Sequence, residues 1–122
     1  MARILLADKQ LGFEDIFRDL LSHFGHEVKQ VTTGAEALEE YPKYDLLITA
    51  LFLKDTIGFQ IIEEIRSQDP FFPILVHSGA VEEWLDKAVS LGANAALQKP
   101  VTIEVLIEQI ESMLPGSAPM YH

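Results

Sequence analysis

Apolar residues follow two different spacings along the chain, and the change between them predicts the secondary structure. A short apolar run at 3–7 precedes a window, 13–24, in which apolar residues recur at the i, i+3, i+4 and i+7 spacing of an amphipathic helix. The same change recurs to the end of the chain, which predicts five strand–helix units. The predicted strands are 3–7, 27–31, 45–50, 73–78 and 95–98, and the predicted helices are 13–24, 34–41, 58–68, 81–91 and 102–114.

Three of the predicted strands, 3–7, 45–50 and 73–78, lack the polar alternation of a strand with one solvated face. Continuous apolar runs suit strands that helices cover on both faces of a parallel sheet. The alternation of strands and helices implies right-handed crossovers and therefore predicts an α/β, doubly wound fold. Function in such folds concentrates in the loops after the carboxyl ends of the strands, which here are residues 8–11, 50–57, 78–81 and 99–101.

Length and composition predict a single domain. A chain of 122 residues with 48% hydrophobic and 23% charged residues has the composition of a globular protein. Residues 1–114 carry the strand–helix pattern, and the segment 115–122, with its Pro, Gly and Ser, is predicted to be a flexible tail. No apolar run approaches the roughly 20 residues needed to cross a bilayer, and the first residues do not resemble a signal peptide. We therefore expect a cytoplasmic domain that does not bind membranes.

Charge and cysteine content exclude several classes of function. The formal net charge is -10, and no Lys or Arg follows Lys99. Because nucleic acids are bound through basic patches, we expect no direct nucleic-acid binding. The absence of cysteine excludes disulfides, thiolate metal sites and a cysteine nucleophile. No glycine-rich phosphate loop follows the first strand, so an enzyme is not expected.

The residues at the predicted strand ends resemble those of a known signalling family. Asp8, Ser78 and the Lys99-Pro100 pair, at these separations, are similar to the receiver domains of bacterial response regulators, the chemotaxis-regulator-like family, over residues 2–114. The segments 4–8, 44–48, 58–59 and 91–94 are also similar to stretches of that family. The resemblance implies a flavodoxin-like, five-stranded parallel sheet of order 2-1-3-4-5 with five helices, a cis peptide before Pro100, and a role in two-component, phosphorelay signal transduction.

The same resemblance shows where this sequence departs from the family pattern. Receiver domains bind magnesium through two acidic residues after the first strand and an aspartate that ends the third, and this aspartate accepts the phosphoryl group. Counted back from Gly58, the acceptor position falls on Ala50, and the neighbour of Asp8 is Lys9 where a second acid is expected. The aromatic switch position falls on Ala96. We therefore predict a pseudo-receiver without metal, cofactor or catalytic residues, whose degenerate phosphorylation pocket contains Asp8, Lys9, Ala50, Ser78 and Lys99.

The charged and hydroxyl groups of this pocket leave several roles open. Lys99 needs a counter-charge, and we expect it to pair with Asp8 across adjacent strand ends, with Lys9 as a competitor. Asp8 is expected to form an ion pair or a helix cap, and the alternative is a residual metal ligand. Ser78 is expected to form a strand-end hydrogen bond or a cap, and the alternative is a hydroxyl that binds phosphate. Asp55 is expected to face water. The alternative function is a response regulator domain phosphorylated at a non-standard site such as Asp55 or Ser78.

The last two predicted helices suggest how the domain interacts with other molecules. The resemblance implies a partner surface formed by these helices and the last strand, where Trp84, Ala96 and Val105 lie. The helical spacing of Trp84 predicts burial, and an interface anchor is the alternative. Both helices are mainly acidic, which favours a solvated face or a basic or apolar protein partner over self-association. We therefore expect a monomer or weak dimer, and a structural or solvated role for His23, His26 and His77.

Overall fold

The structure, a computed structural model, describes residues 2–9, 19 and 21–114. Within these residues lie five strands, four α-helices, a 3₁₀ helix and, at residues 19 and 21–23, part of a further helix, α1. The remaining elements are β1 (Arg3–Ala7), β2 (Glu27–Val31), α2 (Gly34–Glu40), a 3₁₀ helix (Tyr41–Lys43), β3 (Leu46–Thr49), α3 (Gly58–Gln68), β4 (Ile74–Ser78), α4 (Glu82–Ser90), β5 (Ala95–Gln98) and α5 (Ile103–Met113). Most of the predicted first helix and the predicted tail 115–122 lie outside the described residues. The other predicted elements are confirmed, with ends that shift by at most one residue.

The five strands form one parallel sheet of order β2-β1-β3-β4-β5, as the resemblance implied. Ala7, the last residue of β1, is in register with Val31 on one side and with Thr49 on the other. Ser78 at the end of β4 is in register with Gln98 at the end of β5. The residues that follow these strands therefore emerge together at one edge of the sheet.

The core lies on both faces of the sheet, which explains the apolar runs in β1, β3 and β4. Alternate residues of each strand point to opposite faces, so that Leu5 belongs to the cluster beneath α2, α3 and α4, whereas Ile4 belongs to the cluster with α5. The helices contribute Ile61, Ile65, Leu85 and Ala88 to the first cluster and Leu106 and Ile110 to the second. None of the described helices is both long enough and apolar enough to cross a membrane.

The loop after β3 is held close to the strand that it leaves. A Cβ on Gly58 would lie 2.8 Å from the carbonyl oxygen of Ala50, and the Gly58 amide donates to the Leu51 carbonyl at 2.6 Å. Phe52 and Ile57 form an antiparallel bridge within the loop. A glycine is thus required where α3 begins, because any side chain there would collide with the end of β3. This tight loop fixes the positions of Phe52 and Asp55.

Candidate functional site

An ion pair between Asp8 and Lys99 occupies the carboxyl edge of the sheet. The Lys99 Nζ donates to Asp8 Oδ2 at 2.9 Å, and the side chains are only 21% and 6% exposed, respectively. The predicted pairing is confirmed. The expectation that it joins adjacent strands is wrong, because β3 and β4 lie between β1 and β5 in the sheet. The long, flexible lysine side chain spans this gap.

Backbone hydrogen bonds hold both members of the pair in place. The Asp8 amide donates to the Val31 carbonyl, and the Gln30 side chain donates to the Asp8 carbonyl, both at 3.0 Å. The Lys99 amide donates to the Ser78 carbonyl at 2.9 Å. The pair therefore joins two loops whose backbones are each tied to a neighbouring strand.

Ser78 closes the end of β4. Its Oγ accepts a hydrogen bond from the Ala80 amide at 3.3 Å, and the Gln98 side chain donates to the Ala80 carbonyl at 2.9 Å. Ser78 is buried. These contacts match the expected strand-end hydrogen bond. The Lys99-Pro100 peptide that follows β5 is cis, which confirms that part of the resemblance.

His77 is a residue of this site that the sequence interpretation missed. It is buried in β4 and is in register with Leu97 of β5. Burial, and then the positive charge of Lys99, lower the pKa of His77 to about 4, while the Asp8 carboxylate opposes the shift. The imidazole is therefore neutral at pH 7. A histidine within an otherwise apolar strand, directly before a strand-end serine, was the available sequence signal.

The other two pocket residues supply no carboxylate. Ala50 is buried directly after β3, where its amide donates to the Ala7 carbonyl at 2.9 Å. Lys9 is exposed and Lys99 pairs with Asp8, and the competition from Lys9 stays a prediction. Within residues 2–9, 19 and 21–114, no group of three or more His, Cys, Asp or Glu side chains is placed to hold a metal ion.

Asp55 caps a helix instead of facing only water. Its Oδ1 accepts from the Gly34 amide at 2.6 Å, and its Oδ2 accepts from the Ala35 amide at 3.1 Å. These backbone bonds, the one from Gly34 first, lower the pKa of the Asp55 carboxyl. The residue is exposed, as expected, but both carboxylate oxygens are engaged with the amino end of α2.

Trp84 lies at the surface, so its predicted burial is wrong. The indole is 41% exposed and packs against Phe52 and Phe59, with ring centroids 5.4 and 6.1 Å away. Helix α4 buries Leu85 and Ala88 instead. These aromatic contacts join Trp84 to the β3–α3 loop and to α3. Val105 of α5, the other residue of the predicted partner surface, is 47% exposed. Ala96, the predicted switch position, is partly buried against the core cluster beneath α4.

Comparison with known proteins agrees with this architecture. The family described as "Response regulator receiver domain" matches residues 4–111. This chain belongs to the response regulator receiver domain family. Domains of this family are signalling modules that interact with other proteins such as kinases or effectors.

Two curated relatives of this receiver domain are longer proteins. The chain is 36% identical to the transcriptional regulatory protein CiaR of Streptococcus pneumoniae over 121 residues, which are 96% of this chain and 53% of CiaR. It is 30% identical to the sensor protein EvgS of Escherichia coli K12 over 97% of this chain and 10% of EvgS. The chain thus spans about half the length of CiaR and a tenth of EvgS.

Solved receiver domains have the same fold. The non-phosphorylated HemR receiver domain of Leptospira biflexa superposes with a TM-score of 0.83 and 26% identity, covering 99% of this chain and 100% of that one. The receiver domain of the Francisella response regulator 1452 gives a TM-score of 0.85 at 20% identity over 93% of this chain and 96% of that one. The second likeness concerns the fold alone.

Proposed function

We propose that this receiver domain acts by phosphorylation-independent binding to a protein partner. The observation that carries the proposal is the ion pair between Asp8 and Lys99, which occupies the loop edge of the sheet beside Ala50. The carboxylate that receiver domains use for metal binding is here neutralised by a lysine of the same chain. The pair holds the two loops in one arrangement without a metal or a phosphoryl group.

The composition of the pocket does not fit magnesium. Mg²⁺ requires oxygen ligands in a near-octahedral shell, and phosphoryl transfer requires the ion to neutralise the developing charge. The pocket residues provide one carboxylate, that of Asp8, which Lys99 already holds, whereas Ala50 ends in a methyl group and Lys9 in a cation. The pocket residues therefore lack both the set of oxygen ligands that Mg²⁺ requires and an oxygen at position 50 that could accept a phosphoryl group.

Neither substitute acceptor is favoured by its contacts. The Ser78 hydroxyl accepts from the Ala80 amide, and both Asp55 oxygens accept from amides of α2. Phosphorylation of either residue would displace hydrogen bonds that stabilise the fold. The phosphorelay alternative thus requires a rearrangement of these loops.

The remaining features of the proposal follow from the sequence. We propose that residues 1–114 form a non-enzymatic, cytoplasmic domain and that 115–122 form a tail. The net charge of -10 disfavours direct contact with nucleic acid and favours a basic or apolar protein partner. For the same reason, a monomer or a weak dimer is the proposed state.

Intact-mass spectrometry after incubation with acetyl phosphate and Mg²⁺ tests this proposal. We expect no gain of a phosphoryl mass in the unchanged chain, because no oxygen nucleophile lies at position 50. Asp55→Asn and Ser78→Ala variants are treated in parallel. A mass gain in the unchanged chain that either variant abolishes would support the phosphorelay alternative and reject the proposal.

A further inference from the structure

Three aromatic side chains form an exposed cluster on the surface that contains the amino-terminal half of α4. This aromatic patch consists of Phe52, Phe59 and Trp84, and Trp84 lies between the other two. The Phe52 and Trp84 side chains are each 41% exposed, and Phe59 is partly buried against the core. Aromatic rings that are partly buried and partly exposed are typical anchors of protein interfaces.

Backbone contacts fix the segments that carry Phe52 and Phe59. Phe52 takes part in the antiparallel bridge with Ile57, and the Leu53 amide donates to the Thr56 carbonyl at 3.0 Å. Phe59 lies in the first turn of α3, directly after the glycine that fits against the end of β3. A partner that packs a side chain on these rings therefore meets a preformed surface, and little conformational entropy of the patch is lost on binding.

The electrostatics of the patch favour a cation. The Lys87 ammonium already lies over the Phe59 ring, 4.8 Å from its centroid. The exposed faces of Phe52 and Trp84 carry the same negative quadrupole. Exposed acids also precede and follow Trp84 on α4, namely Glu82, Glu83 and Asp86.

We propose that the aromatic patch binds a segment of a protein partner in which an apolar side chain is flanked by lysine or arginine. The apolar group packs on the exposed surface that Phe52 and Trp84 share, and the flanking cations meet the ring faces and the acids of α4. A second copy of this chain is a poorer match, because the net charge of -10 would bring like charges together. This inference rests on the proposed function and adds the surface and the kind of partner.

Trp84 is the single tryptophan of the chain, so its fluorescence reports directly on the patch. The probe is a synthetic amphipathic peptide of leucine and lysine, and the matched control peptide carries glutamate in place of lysine. We expect a saturable shift of the Trp84 emission with the lysine peptide and none with the glutamate peptide. The affinity should fall as salt is raised, because the contacts include exposed charges.

Variants separate the patch from general attraction to an acidic protein. Phe52→Ala should weaken binding about tenfold or more, the loss expected for an interface anchor. Phe71→Ala removes a phenyl ring that is 88% exposed in the α3–β4 loop, outside the patch, and should leave binding unchanged. The paired change Glu82→Gln and Glu83→Gln should weaken binding while leaving the rings in place. Circular dichroism of each variant verifies that the fold is retained.

Two results would overturn the inference. One is equal binding of the lysine peptide by Phe52→Ala and by the unchanged chain, which would place binding elsewhere. The other is an emission shift with protein concentration alone, with a dimer in sedimentation equilibrium that Phe52→Ala dissociates, which would make a second copy the occupant. Either result leaves the acetyl phosphate experiment unaffected, so failure of the surface is distinguishable from failure of the proposed function.

Discussion

At the scale of single residues, His77 illustrates how the surroundings set the chemistry of a side chain. It follows an apolar run within β4, so a buried, structural role is the simplest interpretation. In the fold, however, the imidazole lies within electrostatic reach of Lys99 and Asp8, which come from the far ends of the chain. The residue is therefore linked to the ion pair that defines the site, and protonation of His77 would add a second cation beside Lys99.

We expect His77 to make folding less favourable as the pH falls. Its pKa in the folded state, about 4, lies below the ordinary value of 6.5, so between these pH values the unfolded chain binds a proton that the folded chain does not. Stability due to this residue is fully present above pH 6.5 and is lost as the pH falls towards 4. Between pH 7.5 and pH 5, the free energy of unfolding should therefore decrease by about 2 kcal/mol less in His77→Leu than in the unchanged chain.

Urea unfolding at a series of pH values measures this difference. The comparison is between slopes, so any loss of packing in His77→Leu that is the same at each pH cancels. The matched control is His23→Gln, which changes an exposed histidine and should retain the slope of the unchanged chain. Parallel pH profiles of His77→Leu and the unchanged chain would contradict the prediction.

At the scale of elements, Arg66 joins the end of α3 to the start of β4 and the α4–β5 loop. Its guanidinium donates to the Gly92 carbonyl, the Asp69 carbonyl and the Asn94 Oδ1 at 2.8, 3.0 and 2.9 Å. The Asn94 Oδ1 also accepts from the Ile74 amide at 2.8 Å. Gly92 has a φ of 126°, and a Cβ there would lie 2.7 Å from the Arg66 Cγ. The arginine and the glycine are thus required together.

Removal of this guanidinium should destabilise the domain. Because three acceptors lose a charged donor, Arg66→Ala is expected to lower the free energy of unfolding by about 2 kcal/mol. Arg66→Lys should recover only part of this loss, since an ammonium cannot match the planar fork of an arginine. Urea unfolding at pH 7 measures both, with Lys54→Ala as the control at an exposed cation. Full stability in Arg66→Lys would show that charge alone suffices.

At the scale of the whole molecule, the loop edge of the sheet combines residues from β1, β3, β4 and β5. The balance of charge there differs from that of a magnesium site, because Lys9 and Lys99 accompany the single carboxylate of Asp8. Restoring one carboxylate therefore does not restore the complete set of ligands.

Reintroducing an acid at position 50 tests this reasoning. Ala50→Asp alone should bind Mg²⁺ weakly, because Lys9 stands where a second acidic ligand is expected and repels the ion. Ala50→Asp combined with Lys9→Asp should bind at least about tenfold more tightly, because two further carboxylates then surround the ion. Isothermal titration calorimetry measures both, and Ala50→Asn combined with Lys9→Asp provides a control of matched size. Tight binding by Ala50→Asp alone would contradict the role assigned to Lys9.

The amino-acid sequence by itself determined the strands, the helices from α2 onwards, and the residue types available at the strand ends. Hydrophobic periodicity indicates which residues are buried and which are solvated, and a change of period marks the end of a strand. These features depend only on residues that are close together in the sequence. The resemblance of a few strand-end residues then supplied the strand order. The absence of an oxygen at position 50 is likewise a property of the sequence alone.

Only the tertiary structure decided which groups meet. Lys99 reaches Asp8 past two intervening strands, His77 shares their environment, Asp55 caps α2, and Trp84 packs on aromatic residues of other elements instead of entering the core. Each of these contacts joins residues far apart in the chain. Their distances depend on how strands are ordered and helices are packed, and hydrophobic spacing carries no information about which long-range partner a polar or aromatic side chain will find.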